Sequence, residues 1–207
     1  MSAGFRSRAL LPMLGALLCA QLSTAGCDDD AQPAPAPTRR VDAVRAHERP
    51  PSVDDFCDAH ADAASAKPFA WPALAPGAAA PRSTPGRWRW VSLWATWCHP
   101  CVAEMPLVFS WKDRLTAAGQ PVDVQLLSVD AADAEVEQYR AQHPEVTGTV
   151  RMSEPGAVQA YLASLGLDNG ASIPVHVFID PAGKVRCVRA GAISEEDFDD
   201  VQLVLAQ

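Results

Sequence analysis

Basic residues are scarce in this chain: 17 lysines and arginines face 25 aspartates and glutamates, giving a formal charge of −8 at pH 7. No stretch gathers the cations into a stripe. A nucleic-acid surface needs clustered cations to neutralise phosphates, so the composition argues against that partner. Long apolar runs are missing too. The main one, Ala9 to Leu22, is shorter than the roughly 20 residues a relaxed membrane span requires. No internal repeat is visible. His47, His60, His143 and His176 show no ligand spacing, so each reads as a satisfied or solvated histidine. The one CxxC lacks the second pair of a structural zinc site.

At 207 residues there is room for one domain plus extra segments, or two small domains. Hydrophobic content of 48% and charged content of 20% are ordinary for a globular protein. The first residues stand apart. Met1 to Arg8 carries Arg6 and Arg8 and no acid, Ala9 to Leu22 is mostly apolar, and small residues follow from Ser23 to Gly26. A basic start, an apolar middle and a small-residue end describe a secretory signal over residues 1–26, with an N-terminal anchor helix as the alternative. Ala25-Gly26-Cys27 resembles the lipobox of bacterial lipoproteins, in which the mature chain begins at a lipid-modified cysteine. That resemblance implies lipidation of Cys27, and Asp28 behind it resembles an inner-membrane retention signal. Thr24 stands where leucine is usual, which leaves plain cleavage without lipid open. Loss of the signal takes Arg6 and Arg8 with it, moving the formal charge from −8 to −10.

Residues 27–55 read as a tether. Asp28-Asp29-Asp30 is followed by the alternation AQPAPAPT and a weakly patterned charged stretch to Pro50-Pro51. Such a composition buries too little apolar area to offset its ordering entropy, and its prolines favour extended chain. Ten of the 18 prolines fall between Pro33 and Pro85, so packed structure is expected late, in a domain over 56–207.

Within that domain, Phe69 to Leu74 is expected as an edge strand, the one place a sheet tolerates proline. Trp88 to Trp94 reads as a buried strand, rich in aromatic and β-branched residues. It runs into Cys98-His99-Pro100-Cys101, and a helix is expected from His99 to Ala118, capped by Gly119 and carrying Pro106 inside. Further on, the expected elements are a strand over 122–129, a helix over 133–142, a short strand over 149–152 and a helix over 154–165. A hairpin of 175–179 with 184–189 and a last helix from Ser194 follow. Strands alternating with helices indicate an α/β fold with a central mixed sheet flanked by helices.

A cysteine at a strand-to-helix junction meets unpaired N–H groups and the positive end of the helix dipole, which favour a thiolate. Cys98 holds that position. Cys101, three residues on, falls on the same helical face within bonding reach, the arrangement that resolves a mixed disulfide. Pro100 suits the first helical turn.

The run Leu93-Trp94-Ala95-Thr96-Trp97-Cys98-His99-Pro100-Cys101, continuing through Glu104-Met105-Pro106, resembles the active-site region of the TlpA/ResA-like thioredoxin family. Ser172-Ile173-Pro174, followed by VHVFID and the turn DPAGK, resembles the family's second mark. The resemblance covers residues 69–207 and implies a thioredoxin fold, with 131–152 as the family's extra central segment. It further implies that Cys98 attacks, that Cys101 resolves, that Trp97 covers the redox disulfide, and that Ile173 and a cis Pro174 build the docking face for substrate and exclude metal. Ser92 departs from the pattern, standing where thioredoxin has a buried aspartate that assists proton transfer. Glu104 is a candidate substitute, a surface helical acid being the alternative. His99 is a candidate for tuning the thiolate as a nearby cation, or else a solvated spacer. In an exported chain Cys57 and Cys187 are candidates for a structural disulfide, against two independent thiols.

The function implied is thiol–disulfide exchange with extracytoplasmic protein partners, as a reductase. It needs no organic cofactor and no metal, but an external thiol electron donor. The expected molecule is a monomer on the periplasmic side, held to the inner membrane by its lipid. Two alternatives belong to other classes: a non-catalytic binding lipoprotein on the same fold, and a thiol-based metal-binding or copper-delivery module.

Overall fold

The computed structural model describes residues 50–207; Cys27, His47 and the expected signal and tether up to residue 49 lie outside the described residues. Five α-helices and six strands occur among them. The helices are α1 (Val53–Phe56), α2 (His99–Ala117), α3 (Asp133–Arg140), α4 (Val158–Ser164) and α5 (Phe198–Leu205). The strands are β1 (Ala59–His60), β2 (Trp88–Trp94), β3 (Val122–Ser128), β4 (Val150–Arg151), β5 (Val175–Ile179) and β6 (Val185–Ala190). They form one mixed sheet in the order β1-β6-β5-β2-β3-β4. β2 runs parallel to β3 and β3 to β4, while β2–β5, β5–β6 and β6–β1 are antiparallel. This is the thioredoxin fold. The segment 131–152 contributes α3 and the edge strand β4.

Central strands buried on both faces read as continuous apolar runs. In β2 the residues from Trp90 to Trp94 are all buried. Alternation divides them between two cores. Trp90 faces Phe56, Trp111, Phe178, Val201 and Val204, the layer of α1, α2 and α5. Val91 and Leu93 face Leu127, Leu162 and Val177, with Tyr139 of α3 packed against them. Trp90 and Trp111 are fully buried. Each aromatic of that size removes roughly 200 Å² from water, worth about 5 kcal/mol of hydrophobic driving force.

Local signals set the ends of α2. Cys98 is its N-cap, with Pro100 in the first turn. At the other end Gly119 adopts φ +81°, and the N–H groups of Gly119 and Gln120 reach back to the carbonyls of Thr116 and Leu115. That pair of bonds is a Schellman ending, which needs a residue tolerant of positive φ.

Some expectations require correction. Phe69 to Leu74 is not a strand: only isolated bridges form at its borders, Pro68 with Lys184 and Leu74 with Met152. Pro68 and Pro72 remove the donors a ladder would use. The edge beside β6 is taken by β1 instead. The helix expected over 154–165 begins as a 3₁₀ turn, Pro155–Ala157, before α4, and the last helix likewise starts with the 3₁₀ turn Glu195–Asp197. Helical structure also reaches into the stretch read as tether. Ser52 caps α1 by accepting the Asp55 N–H, and its own N–H donates to Asp200 on α5. No helix among the described residues is long and apolar enough to cross a membrane.

Candidate active site

β2 delivers the chain to the start of α2, and the turn between them is fixed by several bonds. The Cys98 N–H donates to the Ala95 carbonyl, and the Val129 N–H holds the Trp94 carbonyl. Asp130, fully buried, accepts from the Thr96 N–H at 3.1 Å and from the Thr96 hydroxyl at 2.7 Å. The Ser128 hydroxyl donates to the other carboxylate oxygen at 2.7 Å, and the Asp130 N–H returns a bond to that hydroxyl. A charge buried this deeply needs several donors, and Asp130 has them. The sequence reading passed over this residue. Its signal was a polar Ser-x-Asp directly after Leu126-Leu127 at the end of β3.

Cys98 and Cys101 are joined as a disulfide with Cα atoms 5.3 Å apart. The Cys98 sulfur accepts the Cys101 N–H at 3.3 Å, an N-cap bond made by sulfur. Cys98 is 5% exposed and Cys101 0%, so the first sulfur is the one nearer to solvent. Trp97 beside them is 61% exposed, and His99 and Pro100 are exposed as well.

The Ile173–Pro174 bond is cis. Leu93 pairs with Val175 in the β2–β5 ladder, which places Pro174 next to the end of β2 where the chain leads into the cysteines. Pro174 is buried, its carbonyl accepting the Gly191 N–H at 2.8 Å. Ile173 packs against the cluster that contains Cys98 and Cys101.

Glu104 is not a surface acid. Its side chain is 3% exposed, one helical turn beyond Cys101 on the same buried face of α2. One carboxylate oxygen accepts the Ile193 N–H at 2.9 Å, and the other lies 3.2 Å from His176 Nε2. His176 is fully buried on β5, where Trp90 Nε1 donates to its Nδ1 at 3.1 Å. Read as a bland histidine from sequence, it is joined to Glu104 by the β2–β5 pairing, which local spacing does not reveal.

Cys57 and Cys187 are bridged, Cα to Cα 5.4 Å, across 130 positions of sequence. The bond sits in the α1–α2–α5 core beside Phe56 and Phe178. His60 contacts Asp54 and His143 contacts Glu145, both at the surface. Among the described residues no three His, Cys, Asp or Glu side chains gather as a metal cluster. A polar cleft of about 300 Å³ begins at Thr96 and is lined by Glu135, Gln138, Tyr139, Gln142 and His143. A larger one of about 430 Å³ lies at the β1–β6 edge, with His60, Lys67 and Arg186 in its wall and no cysteine.

The chain is 29% identical over 104 residues to the thiol-disulfide oxidoreductase ResA of Oceanobacillus iheyensis, a match covering 50% of each protein. It thus spans about half the length of that curated relative. No family model matches. Among solved structures it is similar to the thioredoxin domain of a thiol-disulfide oxidoreductase from Bacteroides vulgatus, with 16% identity and a TM-score of 0.46 over 58% of this chain and 80% of that one. It is also similar to a secreted thiol-disulfide isomerase from Corynebacterium glutamicum, with 20% identity and a TM-score of 0.47 over 59% and 73%. The chain thus has a thioredoxin fold by its own strand order, and over half its length its sequence is similar to a thiol-disulfide oxidoreductase.

Proposed function

We propose that the protein is an extracytoplasmic thiol–disulfide oxidoreductase that reduces disulfides in protein partners through Cys98 and Cys101. One observation carries the reading: Cys98 is the N-cap of α2, its sulfur accepts a helix N–H, and Cys101 lies buried directly behind it. A thiolate at that position is stabilised by the helix terminus.

The reaction proceeds in two exchanges. The Cys98 thiolate attacks one sulfur of the partner disulfide, forming a mixed disulfide and releasing the partner's other sulfur as a thiolate. Cys101 then gives its proton to Glu104 and attacks the Cys98 sulfur. The bond to the partner breaks, the partner leaves with two electrons gained, and the Cys98–Cys101 disulfide is restored. Trp97 and the Ile173–Pro174 backbone form the docking face, and exposed His99 tunes the thiolate. No organic cofactor and no metal enters. An external thiol donor re-reduces the pair. The Cys57–Cys187 bridge is structural and stays out of the cycle. With a signal over 1–26, a lipidated Cys27 and a tether that ends before α1, the protein is a monomer held at the periplasmic side of the inner membrane.

Trapping tests the reading. A Cys101→Ala variant exposed to extracytoplasmic proteins is expected to retain partners as mixed disulfides that thiol reductant releases. Wild type is expected to reduce insulin disulfides, and Cys98→Ala to be inert. A Cys98→Ala variant as active as wild type would remove the proposal.

A further inference from the structure

His176 carries information about its own proton. Trp90 Nε1 is a donor and nothing else, so the His176 Nδ1 it reaches at 3.1 Å must be an acceptor. A neutral imidazole with a bare Nδ1 carries its hydrogen on Nε2. That hydrogen faces the Glu104 carboxylate, 3.2 Å away. The approach is off the ideal hydrogen-bond line, and Nε2 has no aligned partner in this buried setting. The site is in its disulfide form here. Contacts of catalytic groups are commonly loose in one state and tighten in another.

Among the described residues, the other groups on the elements around Glu104 and His176 are neutral or engaged elsewhere. On β2 the residue paired with His176 is Ser92, the neutral side chain where thioredoxin carries an acid. On β6 the paired residue is Arg189, whose guanidinium is engaged by the Phe56 carbonyl and ring. On α5 the buried acid is Asp200, which accepts the Ser52 N–H. The loop before α5 supplies the Ile193 N–H, on the far oxygen of Glu104.

We propose that His176 is a positioning residue for the resolving step, fixed by Trp90 as the Nε2–H tautomer so that it orients the Glu104 carboxylate to receive the Cys101 thiol proton. Proton and electrons balance as in the second exchange above: the Cys101 S–H bond breaks, a Glu104 O–H forms, the Cys98–Cys101 bond forms, and the partner sulfur leaves. His176 neither gains nor loses a proton. The inference rests on the dithiol reading of Cys98 and Cys101.

The reduced protein reacting with dithiobis(nitrobenzoate) separates the two exchanges, because attack by Cys98 and attack by Cys101 each release one thionitrobenzoate. In His176→Leu the first release is expected at the wild-type rate and the second at least roughly tenfold slower, a part of what a positioned proton acceptor supplies. His176→Gln, whose amide can both accept from Trp90 and donate to Glu104, is expected to restore most of the rate. Adding His176→Leu to Glu104→Gln is expected to cost nothing further, since the histidine acts only through the carboxylate. Nitrogen NMR of the wild-type imidazole needs no variant, so it decides the tautomer even where His176→Leu does not fold: Nε2 is expected to carry the hydrogen and Nδ1 to be bare. A protonated Nδ1, or an unchanged second release in His176→Leu, overturns the inference while leaving the dithiol chemistry intact. A reduced wild type that releases no thionitrobenzoate overturns the dithiol reading itself.

Discussion

The carboxylate of Asp130 holds Thr96 twice, through its backbone N–H and its hydroxyl, and Thr96 is two residues before Cys98. The end of β3 therefore sets the position of the loop that carries Cys98. Asp130→Ala leaves the Thr96 and Ser128 donors without their charged acceptor. A loss of about 3 kcal/mol is expected, in the range for bonds to charged groups. Urea denaturation would read it, and disulfide exchange should slow in the residual folded protein. An unchanged midpoint would show that the contacts contribute nothing.

The Cys57–Cys187 bridge closes a loop across 130 positions. In the chain-entropy model, a loop of that length restricts the unfolded state by about 5 kcal/mol, with smaller values common in practice. The double variant Cys57→Ser/Cys187→Ser is expected to unfold at markedly lower denaturant. Its exchange activity at low temperature should persist, because the bond lies in the other core. Loss of activity in a fully folded double variant would contradict a structural role.

Two tryptophans should respond in opposite ways. Trp111 is fully buried between Trp90 and Phe198, and Trp111→Ala is expected to cost about 3–5 kcal/mol through the cavity it leaves. Trp97 is 61% exposed, so Trp97→Ala should alter stability by no more than about 0.5 kcal/mol. Its effect should fall on partner capture, seen as weaker mixed-disulfide accumulation in the Cys101→Ala background. A strongly destabilised Trp97→Ala would show that this ring supports the fold.

The chain has two tyrosines. Burial pushes the Tyr161 phenol up strongly; burial, helped by the nearby Glu145 charge, raises that of Tyr139. A raised phenol gives stability that is fully present below its unfolded value, about pH 10, and lost as pH climbs beyond it. Phenolate absorbance should therefore lag behind that of free tyrosine and rise together with unfolding at alkaline pH. Ordinary titration near pH 10 in a folded protein would contradict this.

Much of the site could be read from sequence because its signals are local. Trp88 to Trp94 announces a buried strand by residue type, and Cys98 and Pro100 mark a helix start within three positions. Gly119 marks where that helix ends. The remainder depended on contacts between distant segments. β1 is two residues long and has no periodicity to detect; its edge position comes from pairing with β6. Phe69 to Leu74 has strand-like composition, yet its prolines withhold the donors that pairing needs. Glu104 offered no hint of burial, since an acid on an exposed helix face has the same spacing. Only the β2–β5 register brings His176 beneath it.

The Cys57–Cys187 bridge has a mechanical consequence. Cys98, Cys101 and Pro174 all lie between Cys57 and Cys187 in the chain. With that bond intact, a pull between the two termini travels along the main chain to residue 57, crosses the sulfurs to residue 187 and leaves toward Gln207. Residues 58–186 hang off the load path as a covalent ring. A pull on the two ends of the chain would thus be borne outside the ring that contains Cys98 and Cys101.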